Sequence, residues 1–409
     1  MHLLHVIHRY PPALGGSEAY TARLGDYLAD HGDKVTVYTS TANDLAAMWR
    51  LGPAEFASGR KPGNPEVHRF APLRFPGRRY VAKALSLFGS VNHRGRWMPC
   101  NPLLNSLRHH PGPDQLDAVH GFAFPYANPL FAGLAIARRR KVPFFLTPFL
   151  HWGDPSNPGD RTRRQYTKKP LVALLHAADR VFVQTAGEAE LTRTLGVPDS
   201  RIVLQGLGVD ASECTQGDRH LLRHQLDIPE QAVVVGHLAN LSAEKGTNDL
   251  VEAFAGLPED VVLLLAGPRM ANFKRPQRRR NIVDLGPLSA LEKRHFFAGI
   301  DVFALPSRTD SFGLVLLEAW ANGVPNVAYR AGGPGELIRH ESDGLLVPCG
   351  DMTVLHAVLQ LLVADPMLRR AYGTAGRMRI AAEFTWPEKL ALVRDTIAKV
   401  VGTANQPSR

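Results

Sequence analysis

Short apolar runs alternate along the chain with longer stretches in which apolar positions recur every three or four residues. The opening "HLLHVIH" predicts a buried strand. "RYPPALGGSEAY" reads as a glycine-bearing loop, "AYTARLGDYLADHG" as a helix stopped by Gly32, and "KVTVYTS" as the next strand. A strand, helix and strand in this order build a parallel sheet. Further strands are predicted at "AVHGFAF", "PFFLTPFL", "RVFVQT" and "RIVLQGL", with helices over 128–140 and 187–195. Residues 45–115 break the rhythm. They are rich in Pro, Arg and His and predict loops and short helices, a length of irregular chain that marks function or disorder.

A second alternation starts near residue 232. "AVVVGHLA", "VVLLLAGP", "NIVDLG", "VFALPS", "NVAYRAGG" and "GLLVP" predict strands. "NDLVEAFAGL", "LEKRHFFAGI", "GELIRH", "MTVLHAVLQLLVAD" and "MLRRAYGTAGRMRIAAEF" predict helices, as does the segment after Phe384-Thr385. The fold class is therefore α/β, with two doubly wound, Rossmann-like domains. The expected boundaries are 1–208, 209–384, and a last helix over 385–409 that serves either domain and is expected to return to the first. The total of 409 residues agrees, being about right for two domains of roughly 200.

Hydrophobic residues make up 44% and charged residues 21%, a globular composition. Cys100, Cys214 and Cys349 lie too far apart for metal or redox spacing, and an odd number argues against a disulfide framework. A cytoplasmic location is the natural expectation. The N-terminus is too short and interrupted for a signal peptide, and no run approaches the roughly 20 apolar residues of a spanning helix.

The net charge of +10 is clustered. Residues 60–110 hold ten Lys and Arg against Glu66 alone, and 269–280 hold six with no acid. A third group runs from 138 to 141 and continues through Arg161, Arg163, Arg164, Lys168 and Lys169. Nucleic acid, an anionic membrane surface and a merely soluble basic surface are the competing readings. No nucleic-acid module is recognisable, and the clusters lack regular aromatic interleaving, so no nucleic-acid partner is expected.

Ligands of open α/β sheets bind beyond the carboxyl ends of strands. Three such loops carry chemistry. "NLSAEKG" places Lys245 beside a glycine near a helix start, where an ammonium can face a phosphate. "PSRTDSFG" leads into a helix whose first amides, at Phe312, Gly313 and Leu314, could hold an anion. "AGGPGE" offers Gly332 and Gly333 for close backbone approach. Asp310 stands just before the helix that follows the second loop, and Glu318 within it. Eight residues of helix rise about 12 Å and turn the side chain by about 80°, so the pair suits two ends of an extended ligand rather than one atom.

"PSRTDSFGLVLLEAWANGVPNVAYRAGGPGELI" resembles the acid-x7-acid signature of retaining GT-B glycosyltransferases of family four, the glycosyl transferases group 1. The resemblance covers nearly the whole chain: "YPPALGGSEAYTARLGDYLADHGDKVTVYTS", "AADRVFVQTAGEAELTRTLGVPDSRIVLQGLGVD", "NLSAEKGTNDLVEAF" and "DGLLVPCGD" follow the family's order. It implies a GT-B fold with two domains facing across a cleft. It implies that Lys245 holds the donor diphosphate, Asp310 touches the transferred sugar and Glu318 takes the ribose hydroxyls. The backbone of Phe312, Gly313 and Leu314 would meet sugar and phosphate, Gly15 and Gly16 would let the first loop close over the diphosphate from the opposite domain, and His151 would face the donor sugar across the cleft.

Three positions depart from the family pattern. Asp310 replaces the usual Glu and is one methylene shorter. Asn240, still expected at the donor, stands where an arginine is usual, which removes half of the cationic clamp unless Arg269 or Lys274 takes its place. Phe149 holds the place where the histidine often stands, and His151 comes two residues later.

The resemblance implies retaining transfer of a sugar from a nucleoside diphosphate sugar to a hydroxyl acceptor: a glycan, a glycolipid or a small glycoside. The leaving phosphate would take the acceptor's proton on the front face. No cofactor is implied, and no metal, since no Asp-x-Asp motif appears. Arg74, Arg78, Arg79 and Lys83, close to Tyr80, Leu85, Leu87 and Phe88, suggest contact with anionic lipid or a lipid-linked saccharide. A sugar-nucleotide epimerase of the same fold is the nearest rival. A dinucleotide oxidoreductase fits poorly, because "ALGGSEA" is not G-x-G-x-x-G.

Overall fold

The computed structural model describes residues 1–49, 56–88, 97–98, 100–157, 159–275 and 280–404. Two compact units emerge. The first takes residues 1–150, 164–205 and 390–409, the second 151–163 and 206–389. The segment 151–163 thus groups with the second unit, and the change of unit near the C-terminus falls inside the last helix, Trp386–Ala404, rather than before it.

The first unit is an eight-stranded sheet. Its strands are β1 (His2–Val6), β2 (Lys34–Ser40), β3 (Gly59–Lys61), β4 (Glu66–Phe70), β5 (Ala118–Phe122), β6 (Phe144–Thr147), β7 (Arg180–Val183) and β8 (Ile202–Leu204). The order is β3-β4-β2-β1-β5-β6-β7-β8, parallel except for the β3–β4 pair. Strands β1, β5 and β6 are buried along their whole length, which is why they read as continuous apolar runs. The region 45–115 corrects the sequence reading. Besides short helices it supplies β3 and β4, which extend the sheet at one edge; "GRK" is exposed throughout and "EVHRF" mixes charge with apolar residues, so neither shows the buried-strand pattern. Residues 50–55, 89–96 and 99 of that region lie outside the described residues.

The first helix begins at Gly16, earlier than its apolar spacing suggested, with Gly15 as its N-cap. Arg78 is also unlike the expected lipid-facing cation. It is 2% exposed and donates to the carbonyls of Met48 and Asn101, so its charge serves the interior.

The second unit is a six-stranded, wholly parallel sheet. It contains β9 (Val234–Leu238), β10 (Val262–Ala266), β11 (Ile282–Gly286), β12 (Val302–Leu305), β13 (Asn326–Tyr329) and β14 (Gly344–Val347) in the order β11-β10-β9-β12-β13-β14. Its core joins Val235, Leu263, Leu265, Val302, Ala304 and Val327 from the strands to Leu250, Phe254, Leu355 and Leu359 from the covering helices. Gly332 and Gly333 open the helix Gly332–Leu337 instead of preceding it. Among the described residues no single helix is long and apolar enough to cross a membrane. The pair Met352–Ala364 and Pro366–Glu383 passes only together, is bent by 100°, and has Leu355, Leu359 and Leu362 buried in the core.

Candidate active site

In the second sheet the order reverses between β9 and β12, neighbours whose connections run to opposite sides. Such a switch point opens a crevice at the carboxyl ends of the two strands. The loop after β9 carries Lys245 and the loop after β12 carries Asp310. His237 pins the strands together, its Nδ1 against the Ala304 carbonyl (2.8 Å) and its Nε2 against Thr247 Oγ1 (2.9 Å). Burial holds this imidazole down at about 4, so it stays neutral.

The two loops then touch directly. The Arg308 amide donates to the Glu244 carbonyl at 2.9 Å. Gly246 has φ 68°, and a Cβ there would lie 1.7 Å from the Pro306 carbonyl oxygen, so only glycine permits the approach. The result is an ion pair from Lys245 Nζ to Asp310 Oδ2 at 2.5 Å. Burial alone would raise the Asp310 carboxyl; the Lys245 ammonium overcomes it and holds the group below its usual range. His151 joins from the 151–163 segment, its Nδ1 3.4 Å from Thr309 Oγ1. Burial, then the Lys245 charge, lowers it to about 4 against the pull of Asp310. Lys245 and Asp310 are thus paired, and His151 contacts Thr309 of the Asp310 loop.

The stretch between the two acids is not one helix. The helix spans Leu314–Ala321 only, with Gly313 as N-cap at φ 91°. Asp310 lies in the loop before it, so the helical rise does not set the separation of the acids. The Phe312 amide donates to Asp310 Oδ1 at 3.2 Å. The third loop is packed close: the Gly333 amide donates to the Asp310 carbonyl at 2.9 Å, and a Cβ on Gly333 would lie 2.3 Å from Phe312 Cα.

Glu318 pairs with a lysine of another helix, Ala290–Gly299. Its Oε1 accepts from Lys293 Nζ at 2.5 Å, while its Oε2 is buried and has no hydrogen-bond partner among the described residues. Burial raises its pKa, opposed by the Lys293 ammonium. Asn240 is exposed beyond β9. Of the two cations considered as its replacement, Arg269 is spent on Asp284 at 2.6 Å. Lys274 lines a cavity of about 960 Å³ with Asn248, Asp249, Arg308 and two neighbours of the site residues, Glu244 and Thr309; residues 276–279 of that basic stretch lie outside the described residues.

Two residues were missed from sequence. Lys293 looks like any surface position of a helix "ALEKRHFFAG". Arg308 bridges two carboxylates, Asp154 Oδ2 at 2.9 Å and Asp249 Oδ2 at 2.7 Å. Tyr329 OH also donates to Asp249 at 3.0 Å, and the Cys349 thiol donates to Asp154 at 3.2 Å. This cross-link ties the segment carrying His151 to the loop carrying Asp310.

In the first unit Gly15 and Gly16 differ. A Cβ on Gly15 would lie 2.2 Å from Glu18 Oε2, whereas one on Gly16 meets nothing within 4 Å. Glu18 is buried and paired with Arg9 at 2.5 Å and His8 at 3.3 Å. Burial opposes its ionisation, yet His8 and Arg9 hold its carboxyl at about 2. Gly15 is thus explained by an internal carboxylate, and Gly16 by nothing inside the unit. Among the described residues no group of three or more His, Cys, Asp or Glu gathers as a metal site.

Comparison with known proteins follows this geometry. A glycosyl transferase 4-like domain model matches residues 15–208, and a glycosyl transferases group 1 model matches residues 218–379. A D-inositol 3-phosphate glycosyltransferase of Saccharomonospora viridis is 30% identical over 250 residues, 56% of this chain and 58% of that protein, so the chain spans less than two thirds of that relative's length. Among solved structures, a sucrose-phosphate synthase from Thermosynechococcus elongatus shares the fold with a TM-score of 0.72 at 20% identity, over 98% of this chain and 99% of that one. The Anabaena HepE protein in complex with UDP-glucose does so with a TM-score of 0.68 at 18% identity, over 98% and 100%. Two Rossmann-like sheets, each with its own family match in consecutive order, place this chain in the glycosyl transferases group 1 family with a GT-B fold.

Proposed function

We propose that the protein transfers a hexosyl group from a nucleoside diphosphate sugar to a hydroxyl acceptor with retention of anomeric configuration. The observation that carries the proposal is the Lys245–Asp310 pair at the β9/β12 switch point, with His151 beside it. A fixed ammonium is most useful where charge grows on the leaving diphosphate. Asp310 is the carboxylate nearest to hand for the sugar's hydroxyls, and His151 is held neutral beside the Asp310 loop. Because Asp310 is already ion-paired, the donor would insert its phosphate against Lys245 while Asp310 turns to the sugar. The similar structure crystallised with UDP-glucose supports a nucleotide-sugar donor.

The acceptor would be a glycan, a glycolipid or a small glycoside. Contact with an anionic membrane is part of the proposal. Tyr80, Leu87 and Phe88 are 81%, 79% and 60% exposed, and Arg79 and Lys83 are exposed beside them. Flotation with anionic liposomes at low and high salt tests this; no binding at low salt would assign a soluble acceptor. The donor reading is tested by a thermal-shift panel of UDP, GDP, ADP and dTDP on wild type and Glu318→Ala. Stabilisation of the wild type by at least one nucleotide, weakened in the variant, is expected. A panel without any stabilisation would count against the reading.

A further inference from the structure

The far end of the first sheet holds a cavity that sugar transfer does not use. His2, Lys34 and Glu66 open β1, β2 and β4. They therefore stand at the amino ends of parallel strands, away from the carboxyl ends where such sheets bind their ligands. With Arg60 of β3 and His110 they line a cavity of about 450 Å³, large enough for a small metabolite. All of these residues belong to the first unit.

The acceptors of this cavity are occupied. Glu66 Oε1 takes Arg60 Nε at 2.6 Å together with the His68 ring, and Oε2 takes Arg60 Nη2 at 2.8 Å. Thr36 Oγ1 is engaged by His2 Nε2 at 2.9 Å. Asp114, the other carboxylate of the lining, is fully exposed.

The donors are open. Lys34 is exposed, and its ammonium has no partner among the described residues. Arg60 gives Nε and Nη2 to Glu66, which leaves the Nη1 hydrogens unused among the described residues. His110 Nδ1 accepts from the Gly112 amide at 3.2 Å, so it bears no hydrogen and also takes the Tyr38 hydroxyl at 3.0 Å. Burial first, then His68 and Arg139, lowers the pKa of this ring, and the neutral form carries its proton on Nε2. That N–H has no partner among the described residues. Two further cations hold the loop that carries it. Arg139 Nη2 donates to the His110 carbonyl at 2.6 Å, and Arg140 Nε to the Pro111 carbonyl at 3.3 Å.

An ammonium, a guanidinium and an imidazole N–H around one cavity, with Glu66 already neutralised by Arg60, suit a ligand rich in acceptors and negative charge. A phosphate monoester brings three acceptor oxygens and about two charges at pH 7. A carboxylate brings two oxygens and one charge. We propose that this cavity binds the phosphoryl group of a small phosphate monoester, held by Lys34, Arg60 and His110. The proposal stands independently of the sugar-transfer reading, since Lys245 and Asp310 belong to the second unit.

Isothermal titration of the whole chain with inorganic phosphate, glycerol 3-phosphate and dimethyl phosphate tests it. Wild type should bind the first two. Dimethyl phosphate, a diester with one charge and two free oxygens, should bind about tenfold more weakly or worse. Lys34→Met should lose about tenfold or more in phosphate affinity, the usual effect of removing a charged donor, and Lys34→Arg should keep most of it. Lys34 is exposed and unpartnered, so this variant tests binding without a folding defect. His110→Asn keeps an acceptor for the Gly112 amide but removes the Nε2 donor, and should also bind more weakly at a Tm near that of wild type. Lys245→Ala should retain phosphate binding. No phosphate binding by wild type, or wild-type affinity in Lys34→Met, would overturn the proposal. Loss of binding in Lys245→Ala would also overturn it, by moving the anion to the donor loops. Equal affinity for dimethyl phosphate would do so as well, by assigning the cavity to a diester backbone.

Discussion

Replacing Gly246 by alanine should unseat the Lys245–Asp310 pair without touching either residue. Gly246 has φ 68°, a backbone region that costs an alanine about 1–2 kcal/mol. Its new Cβ would lie 1.7 Å from the Pro306 carbonyl oxygen, an overlap with backbone that no rotamer relieves. Overpacking of this kind costs about 1–3 kcal/mol when neighbours can yield. Here they yield poorly, because the Arg308 amide is bonded to Glu244 and Thr247 is bonded to His237. The total is about 3–5 kcal/mol, which for a unit of this size lowers Tm by on the order of 10 °C. The loops can escape only by separating, so transfer activity should fall by more than the folded fraction does. Differential scanning calorimetry with single-turnover assays well below Tm measures both. Gly16→Ala, with nothing within 4 Å of its new Cβ, is the matched control and should change stability by about 0.5 kcal/mol or less. Wild-type Tm and activity in Gly246→Ala would refute the claim that loop contact sets the site.

Three other outcomes follow from the same structure. His5 is fully buried, neither ring nitrogen has a hydrogen-bond partner among the described residues, and its pKa is pushed down to about 3 by burial. The unfolded chain binds this proton from about pH 6.5 downward, so folded stability is whole above that pH and lost as pH falls toward 3, by about 2 kcal/mol at pH 5. Urea unfolding should show His5→Leu escaping that loss, and parallel pH profiles for variant and wild type would contradict it. Arg308→Lys keeps a charge but cannot bridge Asp154 and Asp249 with one planar fork. Turnover should drop about tenfold or more, with nucleotide affinity within about twofold, as steady-state and titration data would show; unchanged turnover would mean the bridge does not position His151. Finally, because His151 is held at about 4, activity should not titrate near pH 6.5, and an acid limb that depends on His151 should appear only near pH 4 in a pH–rate comparison with His151→Asn.

The buried parallel strands and the motif residues were legible because both leave local signals. Apolar runs such as "VVLLLAGP" report strands covered on both faces, and Lys245, Asp310 and His151 each follow a strand end, where an α/β sheet puts its chemistry. Strands β3 and β4 were missed because edge strands carry charge and exposure in place of an apolar run. The role of Arg308 was invisible because its partners Asp154 and Asp249 are 154 and 59 residues away, and ion pairs at such range have no spacing rule. Lys293 was hidden for the same reason, 25 residues from Glu318. The helix assumed between the two acids failed at Gly313, whose positive φ starts the helix only after Asp310 has been placed in the loop.

The central claim is most directly tested by following one nucleoside diphosphate hexose of known anomeric configuration through the reaction by proton NMR, with wild type, Lys245→Ala and Glu318→Ala in parallel. Release of nucleoside diphosphate should accompany a new glycosidic bond of the same configuration as the donor, and both variants should be strongly impaired. A product of opposite configuration, or wild-type transfer by both variants, would contradict the account.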